Sequence, residues 1–546
     1  MNSLQQRTPD TEAIMEELRA RRAHVENARL PASVSELFDA AVQNYADRTL
    51  WVQVETEHAL TYREFDEQVG RYAGALRSLG VGPSSHVALM APSIPALAIT
   101  WMAIARLGAV LVPINTRYTA RELAHVISHG EIDFAVMHAA HAPLVAEMGK
   151  LLELPLSHVI AIDGNIPGSA GDISVIAEDC EPVRERVDRR PGDLMSLQFT
   201  SGSTGAPKAC MLPQEYWVLI THIRAAQGPR LNRILIDMPF HYMGGQWRFL
   251  MTLLMGATAY VAPHQSLTRM IDWLVANEIE FCSVTPALAK QPVDPRIGRL
   301  NLKWAGTMGM SEATLAAAMQ RLNGAPVKEM YGTTETGALV SMPVEVSWKP
   351  GSVGLPEPTR EIRIVDGEGN DVPCGQPGEL LVRGPAMMLG YYNNPEATAL
   401  AFSDGWFRTG DLFSRDEDGF LYMRGRIKDV IRRNGENISA LEVETVVQRV
   451  EGIEEVAAIP IPDEMKGEEV RLCVTLTPSY SAQTVSPDLV MQHCTANLAK
   501  FKLPRQIAYH DKLPKTASGK IEKPRLKDGT ATPSGGIYDY TLQRWL

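Results

Sequence analysis

Cysteine is scarce in this chain. The six cysteines, Cys180, Cys210, Cys282, Cys374, Cys473 and Cys494, are scattered, with no C-x-x-C pair and no metal-ligand spacing. That pattern argues against a disulfide framework or a zinc module and predicts reduced thiols in a cytosolic protein. Basic charge is also in short supply: 53 Lys and Arg against 64 Asp and Glu give a formal net charge of −11. A nucleic-acid partner calls for a basic face, so none is expected. The N-terminal residues lack the basic and then apolar pattern of a secretory leader. Long apolar runs are missing too. Even the stretch 87–115 is broken by Pro92, Pro95, Arg106 and Gly108, short of the roughly 18 residues a membrane span needs. These absences predict a cytoplasmic protein with no transmembrane segment, and no internal repeat is evident.

What is present is an ordinary globular composition, 45% hydrophobic and 21% charged over 546 residues, enough for several domains at roughly 150 residues each. Residues 11–30 carry alternating charge with Ile14, Leu18 and Val25 to one side, which predicts a short amphipathic helix. Helix and strand then alternate. Phe65, Val69, Tyr72, Ala73 and Leu76 recur at helical spacing before Gly80, and residues 87–91 come next as a buried strand. Thr119 and Glu122 have capping-box spacing ahead of a helix at 123–128, with another strand at 134–137. This alternation predicts a parallel sheet with helices on its faces. A second helix and strand series runs from Tyr216 to Phe281. After Gly354 the period becomes two: residues 361–366 and 379–383 alternate around Gly367, Gly369, Pro373, Gly375 and Pro377, the mark of paired antiparallel strands. A domain border is placed in the basic run 423–429, ahead of a compact mixed segment that reaches Lys527. Residues 528–546, rich in Gly, Thr, Ser and Pro, read as a flexible tail.

One loop carries the strongest chemical signal: Phe199-Thr200-Ser201-Gly202-Ser203-Thr204-Gly205-Ala206-Pro207-Lys208. Two glycines free the backbone to curl, so that N–H groups and hydroxyls converge on phosphate oxygens while Lys208 adds a point charge. It is not a Walker loop, because only two residues separate the glycines and Ala209 follows the lysine. A solvated turn is the plain alternative for such a cluster taken alone. The decamer resembles the signature loop of the adenylate-forming superfamily, which includes acyl-CoA synthetases, peptide-synthetase adenylation domains and luciferases. Further motifs of that family recur in the same order between about Ser35 and Leu526.

The resemblance implies an α/β fold: a large N-terminal domain of two stacked α/β subdomains plus a small β-barrel, and a small mobile α+β C-terminal domain. On this chain it implies a helical extension at 1–34, the large domain at 35–425, a hinge at 426–429 pivoting on Lys428, the small domain at 430–527 and the tail at 528–546. It implies ATP, Mg2+ and coenzyme A as cofactors, and a carboxylic acid as substrate. The Ser201 loop, from Thr200 through Gly202, Ser203, Thr204 and Gly205 to Lys208, would cradle phosphate. In Glu329-Met330-Tyr331-Gly332-Thr333-Thr334-Glu335, the second nucleotide motif, Tyr331 would lie against adenine. There Thr333 or Thr334 would donate to the α-phosphate, and Glu335 would hold Mg2+. Asp411, in Asp404-Gly405-Trp406-Phe407-Arg408-Thr409-Gly410-Asp411, and Arg426 would bind ribose. His241 resembles the gate beside the α-phosphate, and Lys520 the lysine that reaches the α-phosphate and carboxylate during adenylation. Gly435, Glu436 and Asn437 resemble the loop that swings in for the thiol step.

For the acid, the resemblance points to Tyr242, Met243, Gly244 and Gly245, and to Gly306, Thr307 and Met308. Glycines that leave space beside pliable thioethers predict a pocket for a bulky hydrophobic acid. No acidic or basic residue stands among these positions, unlike an amino-acid-activating domain. Ala209 and Cys210 after Lys208, and Gly306-Thr307-Met308-Gly309-Met310, depart from the usual strings of the family, which bears on substrate identity more than on the chemistry. The expected activity is an ATP-dependent acid–CoA ligase working through acyl-AMP. Alternatives are loading of a carrier-protein phosphopantetheine, specialisation in one half-reaction, a nucleotide-binding regulator, or a luciferase-like oxidation; a homodimer is left open.

Overall fold

The structure, a computed structural model, describes residues 9–150, 155–200, 207–310, 312–433, 436–463, 466–498, 500–516 and 519–546. The chain divides into two compact units, one of residues 1–361 and 383–407, the other of residues 362–382 and 408–546.

The first unit is built on two sheets. A six-stranded sheet runs Val159–Ile162, Phe134–His138, His86–Met90, Val110–Pro113, Leu194–Thr200, Lys208–Pro213. A nine-stranded sheet has Arg233–Ile236 and Phe281–Ser283 at its centre, with Trp304–Thr307 and Val327–Thr333 beyond them. Central neighbours in both pair in parallel. Their sequences, such as Val110–Pro113 and Val159–Ile162, are buried at every position, as strands covered on both faces must be. Local signals start the helices. Thr61 with Glu64, and Thr119 with Glu122, each form a reciprocal capping box at the heads of Tyr62–Ser78 and Ala120–His129. The N-terminal helix spans Pro9–Glu26 and is tied down by Arg21, 2.6 Å from Glu345.

The helix Pro95–Arg106 is buried at every position but the first, so it is apolar on all sides rather than amphipathic. Trp101 packs within 5.9 to 6.4 Å of Trp217, Phe240 and Phe249, ring centre to ring centre. Truncating Trp101 to alanine would cost on the order of 3–5 kcal/mol, the usual figure for a buried large aromatic ring. This aromatic layer lies directly behind Phe240-His241. Among the described residues no helix is long and apolar enough to cross a membrane.

The second unit contains a small antiparallel sheet, in which Gly378–Arg383 neighbours Glu361–Val365 and Trp406–Arg415, and Trp406–Arg415 pairs with Leu421–Arg426. Its other sheet runs Glu436–Ser439, Val430–Arg433, Gly467–Leu476, Gln506–Tyr509, Ile537–Asp539, Arg544–Trp545. By packing, residues 408–425 group with residues 430–546, and one short helical turn, Ile427–Asp429, separates Leu421–Arg426 from Val430–Arg433. One expectation is corrected here: residues 528–546 are not a flexible tail. Ile537–Asp539 pairs antiparallel with Gln506–Tyr509, Tyr540 donates to the Pro487 carbonyl at 2.8 Å, and buried Asp539 accepts from Gln506 at 2.8 Å. Extending a sheet edge satisfies backbone groups that the composition alone left without partners.

Candidate active site

The predicted phosphate loop sits on a β-hairpin. Leu194–Thr200 and Lys208–Pro213 pair antiparallel through Thr200 and Lys208, and the Thr200 hydroxyl donates to the Lys208 carbonyl at 3.3 Å. The tip, with Ser201, Gly202, Ser203, Thr204 and Gly205, lies outside the described residues. At its base the Lys208 ammonium stands 4.3 Å above the ring centre of Tyr391, and the Tyr391 hydroxyl donates to the Glu335 carboxylate at 3.0 Å. The Met388 amide donates to the Glu335 carbonyl at 2.9 Å. Tyr391 thus joins the loop lysine to the carboxylate of the second motif, a connection the sequence reading missed. Burial, the Glu335 charge and the bond to it push the Tyr391 phenol far above its ordinary range, so it stays protonated and donating.

The second motif is a tight reversal between Val327–Thr333 and Gly337–Ser341. A side chain at Gly332 would place Cβ 2.1 Å from the Gly337 carbonyl, so only glycine fits. The Thr333 amide donates to the Thr336 hydroxyl at 3.2 Å, and Tyr216 donates to the Thr334 carbonyl at 2.9 Å. Arg360, buried beneath, donates to the carbonyls of Thr336, Ala338, Pro385 and Ala386. The turn that presents Thr333, Thr334 and Glu335 is therefore held from below by a guanidinium that makes four bonds to backbone carbonyls. Glu329 accepts from the amides of Gly309 and Met310 at 2.9 and 2.6 Å, yet burial outweighs these bonds and raises its pKa to about 7.

Glu335 is half-buried and has one oxygen engaged by Tyr391, and among the described residues no group of three metal-ligating side chains exists. Such a site suits Mg2+ that arrives with phosphate oxygens and needs one protein carboxylate, rather than a closed all-protein cage.

His241 follows the strand Arg233–Ile236, at the end where ligands bind in parallel sheets. Its carbonyl accepts from Gln198 at 2.7 Å and its ring lies 4.4 Å from that of Tyr242, whose hydroxyl accepts from Asn115 at 3.3 Å. Burial, and then the Arg117 charge, lower the His241 pKa to about 4. It is a neutral imidazole at pH 7.

The acyl-pocket residues require a correction. Gly244, Gly245 and Gly306 do not leave open space. A Cβ on Gly306 would lie 2.4 Å from Cε of Met330, and one on Gly244 would lie 2.6 Å from the Met238 sulfur and 2.8 Å from Nη1 of Arg248. At Gly245 it would meet the Met238 and Pro239 carbonyls at 2.7 Å. The Met243 sulfur accepts from Tyr216 at 3.3 Å, the Thr307 hydroxyl donates to the Val284 carbonyl at 3.0 Å, and Met308 is 57% exposed. The region is not free of charge either. Arg248 is buried against Gly244, and Asp237, next to Met238, is buried too, where the sequence reading had no charged group. Arg248 is concealed in sequence by the mostly apolar helix Met243–Met255, where it is the one charged residue.

The second unit carries the remaining predicted residues. Asp411 and Arg426 are register partners on adjacent strands, with Nε 2.9 Å from Oδ1; Asp411 is buried and Arg426 is exposed enough to meet a ligand. Gly410, in the left-handed region at φ 68°, turns the strand there. Lys428 has its pKa lowered by burial and then by the Arg426 charge, with Lys520 adding to the repulsion. Lys520 is exposed on a turn closed by the Thr516 amide to its carbonyl at 2.8 Å, and Gly519 makes the turn at φ 83°. Glu436 and Asn437 open the strand Glu436–Ser439, paired with Arg433 and Arg432; Gly435 lies outside the described residues.

The model of the AMP-binding enzyme family matches residues 38–392, and that of the AMP-binding enzyme C-terminal domain matches residues 442–520. The long-chain-fatty-acid–CoA ligase of Escherichia coli O6:H1 is 29% identical over 91% of this chain and 94% of its own. A feruloyl-CoA synthase of an Amycolatopsis species is 32% identical over 86% of this chain and 94% of its own. Among solved structures, a Mycobacterium tuberculosis fatty acyl CoA synthetase has a TM-score of 0.71 at 25% identity, over 91% of this chain and 98% of that one. ATP-bound MatB from Rhodopseudomonas palustris has a TM-score of 0.81 at 24% identity over 92% and 99%, a likeness of fold.

Proposed function

This chain belongs to the AMP-binding enzymes of the adenylate-forming superfamily, and from that premise we propose that it is an ATP-dependent acid–CoA ligase acting through acyl-AMP. The observation that carries the reading is the chain Lys208–Tyr391–Glu335, which ties the base of the phosphate loop to the carboxylate of the second motif.

A carboxylate is a poor electrophile, repelling nucleophiles and lacking a competent leaving group. Its attack on the α-phosphate of ATP forms a carboxyl–phosphate bond and expels pyrophosphate. Two anions meet in that step, so catalysis rests on placed cations and donors. Lys208 lies at the base of the phosphate loop, and Thr333 and Thr334 stand on a turn whose backbone is fixed by Thr336, Tyr216 and Arg360. Glu335 would hold the Mg2+ that accompanies ATP and offsets phosphate charge. Asp411, an acceptor-only carboxylate, and Arg426 would take the ribose hydroxyls. Lys520 would neutralise charge as carboxylate and phosphate approach. His241, neutral at pH 7, would shape the entry beside the reacting atoms without acting as a base, since the acid is already ionised.

In the second step the CoA thiol attacks the acyl carbon and AMP leaves, with Gly435, Glu436 and Asn437 on the thiol side and Lys428 as the pivot between the two poses. The acid is bulky and hydrophobic: Met330 and Met238, which fill the space over Gly306 and Gly244, are pliable side chains able to yield to it. Incubating the protein with a panel of carboxylic acids, ATP and Mg2+ should give acid-dependent pyrophosphate release, and adding CoA or a phosphopantetheinylated carrier shows which thioester forms. Absence of pyrophosphate with every acid would defeat the reading.

A further inference from the structure

Arg248 is only 2% exposed, and its environment is unusual for a buried cation. One face of the guanidinium lies 4.3 Å from the Trp247 ring centre, and Phe281 stands at 6.0 Å. Nη1 donates to the Gly244 carbonyl at 2.5 Å and to the Met238 sulfur at 3.2 Å, and Nη2 donates to the Ser283 hydroxyl. Nε is buried with no acceptor. Among the described residues no carboxylate pairs with it, in contrast to Arg224, which has Glu357 at 3.2 Å. Buried charges are ordinarily paired and hydrogen-bonded, so this arrangement needs an account.

Asp237 supplies half of one. It directly follows the strand Arg233–Ile236, is 5% exposed, precedes Met238, whose sulfur accepts from Arg248 at 3.2 Å, and has a buried Oδ1 without a donor. An orphan donor and an orphan acceptor therefore lie in one buried region. That region borders the acyl-pocket residues: Gly244 is one turn earlier on the helix of Arg248, and Ser283 is the register partner of Gly306. It also lies at the carboxyl ends of parallel strands, where such sheets take their ligands.

We propose that Arg248 and Asp237 form a polar subsite at the inner end of the acyl pocket, which selects carboxylic acids bearing a hydroxyl group distant from the carboxylate. One hydroxyl has both an acceptor for Nε and a donor for Oδ1, the two groups left without partners. A second carboxylate on the acid would answer Arg248 but meet Asp237 with like charge. The inference rests on the acid–CoA ligase reading and refines its substrate class: hydrophobic along its length, hydroxylated at its far end.

The test compares matched acids, cinnamate with 4-hydroxycinnamate and hexadecanoate with 16-hydroxyhexadecanoate, by kcat/KM for acid-dependent pyrophosphate release. The hydroxylated member of at least one pair should be preferred by about tenfold or more, because a site built around a hydroxyl rejects the analogue that leaves its polar groups unpaired. Arg248→Met and Asp237→Asn should each bring that ratio towards one, whereas a general loss of packing lowers both members together. Turnover without preference in both pairs, as expected if only water answers these two groups, overturns the subsite and leaves the ligase reading standing. Unchanged ratios in the two variants overturn it as well. Where a variant does not fold, the ratio for the unaltered protein still decides, and no pyrophosphate with any acid removes both readings.

Discussion

The Tyr391 hydroxyl donates to the Glu335 carboxylate at 3.0 Å while the same ring carries the Lys208 ammonium 4.3 Å above its centre. One side chain thus orients a carboxylate by its edge and a cation by its face. Tyr391→Phe keeps the face and removes the bond. Hydrogen bonds to charged groups contribute about 1.5–3 kcal/mol, so adenylation should fall roughly tenfold to a hundredfold. The Mg2+ concentration for half-maximal rate should rise, because Glu335, the residue proposed to hold the metal, loses its anchor. Pyrophosphate release titrated against Mg2+ checks both, and an unchanged titration would remove Tyr391 from the site.

Glu329 makes stability depend on pH. Burial raises its pKa from 4.5 to about 7, so the folded protein holds a proton the unfolded chain releases. Such a group contributes its full share of stability below the unfolded value and loses it as pH rises through the folded one. The window runs from 4.5 to about 7 and spans on the order of 3 kcal/mol at about 1.36 kcal/mol per pKa unit. Glu329→Gln, which stays neutral, should flatten that part of the profile. Denaturant melts of both proteins across that range decide it, and parallel profiles would show that Glu329 does not titrate there.

Local signals were legible in the sequence and long-range ones were not. The capping box of Thr119 and Glu122 needs only its own helix turn, and the period-two stretches needed only their neighbours. Tyr391 and Glu335 are separated by 56 residues, and neither stands at a periodic position, so nothing in the string pairs them. Composition argued for a flexible C-terminus, but an open strand edge at Gln506–Tyr509 recruited Ile537–Asp539, tertiary pairing overriding local preference. Gly306 and Gly244 were legible as small residues, but not the thioethers of Met330 and Met238 that occupy the room they leave.

That occupancy carries its own consequence. Met330 is 3% exposed with Cε lying where a Gly306 side chain would begin. Met330→Ala should cost about 2–5 kcal/mol and leave a cavity at that point. Bulkier acids should gain in kcat/KM relative to smaller ones, and Gly306→Val should move the preference the other way. A size series of straight-chain and ring-bearing acids, scored by pyrophosphate release, reads the shift. The same preference in all three proteins would place the acid elsewhere.

Lys520 is exposed on its turn, whereas Lys428 is half-buried with its pKa lowered by burial, the Arg426 charge and Lys520. Around Lys428, the cations Arg426 and Lys520 stand against two carboxylates, Asp429 and Asp411, so these groups together leave positive charge in excess, suited to an anionic nucleotide. If Lys520 serves only the meeting of carboxylate and α-phosphate, Lys520→Ala should slow adenylation by about a hundredfold or more, in line with loss of one well-placed charge at a developing anion. Thioester formation from supplied acyl-AMP should change by no more than about threefold, since that step leaves the α-phosphate already esterified. Rates of the two half-reactions measured separately, pyrophosphate release for the first and acyl-CoA formation for the second, distinguish the outcomes. Equal loss in both would mean that the lysine stays at the reacting atoms throughout, and a pivot at Lys428 would then have no task to perform.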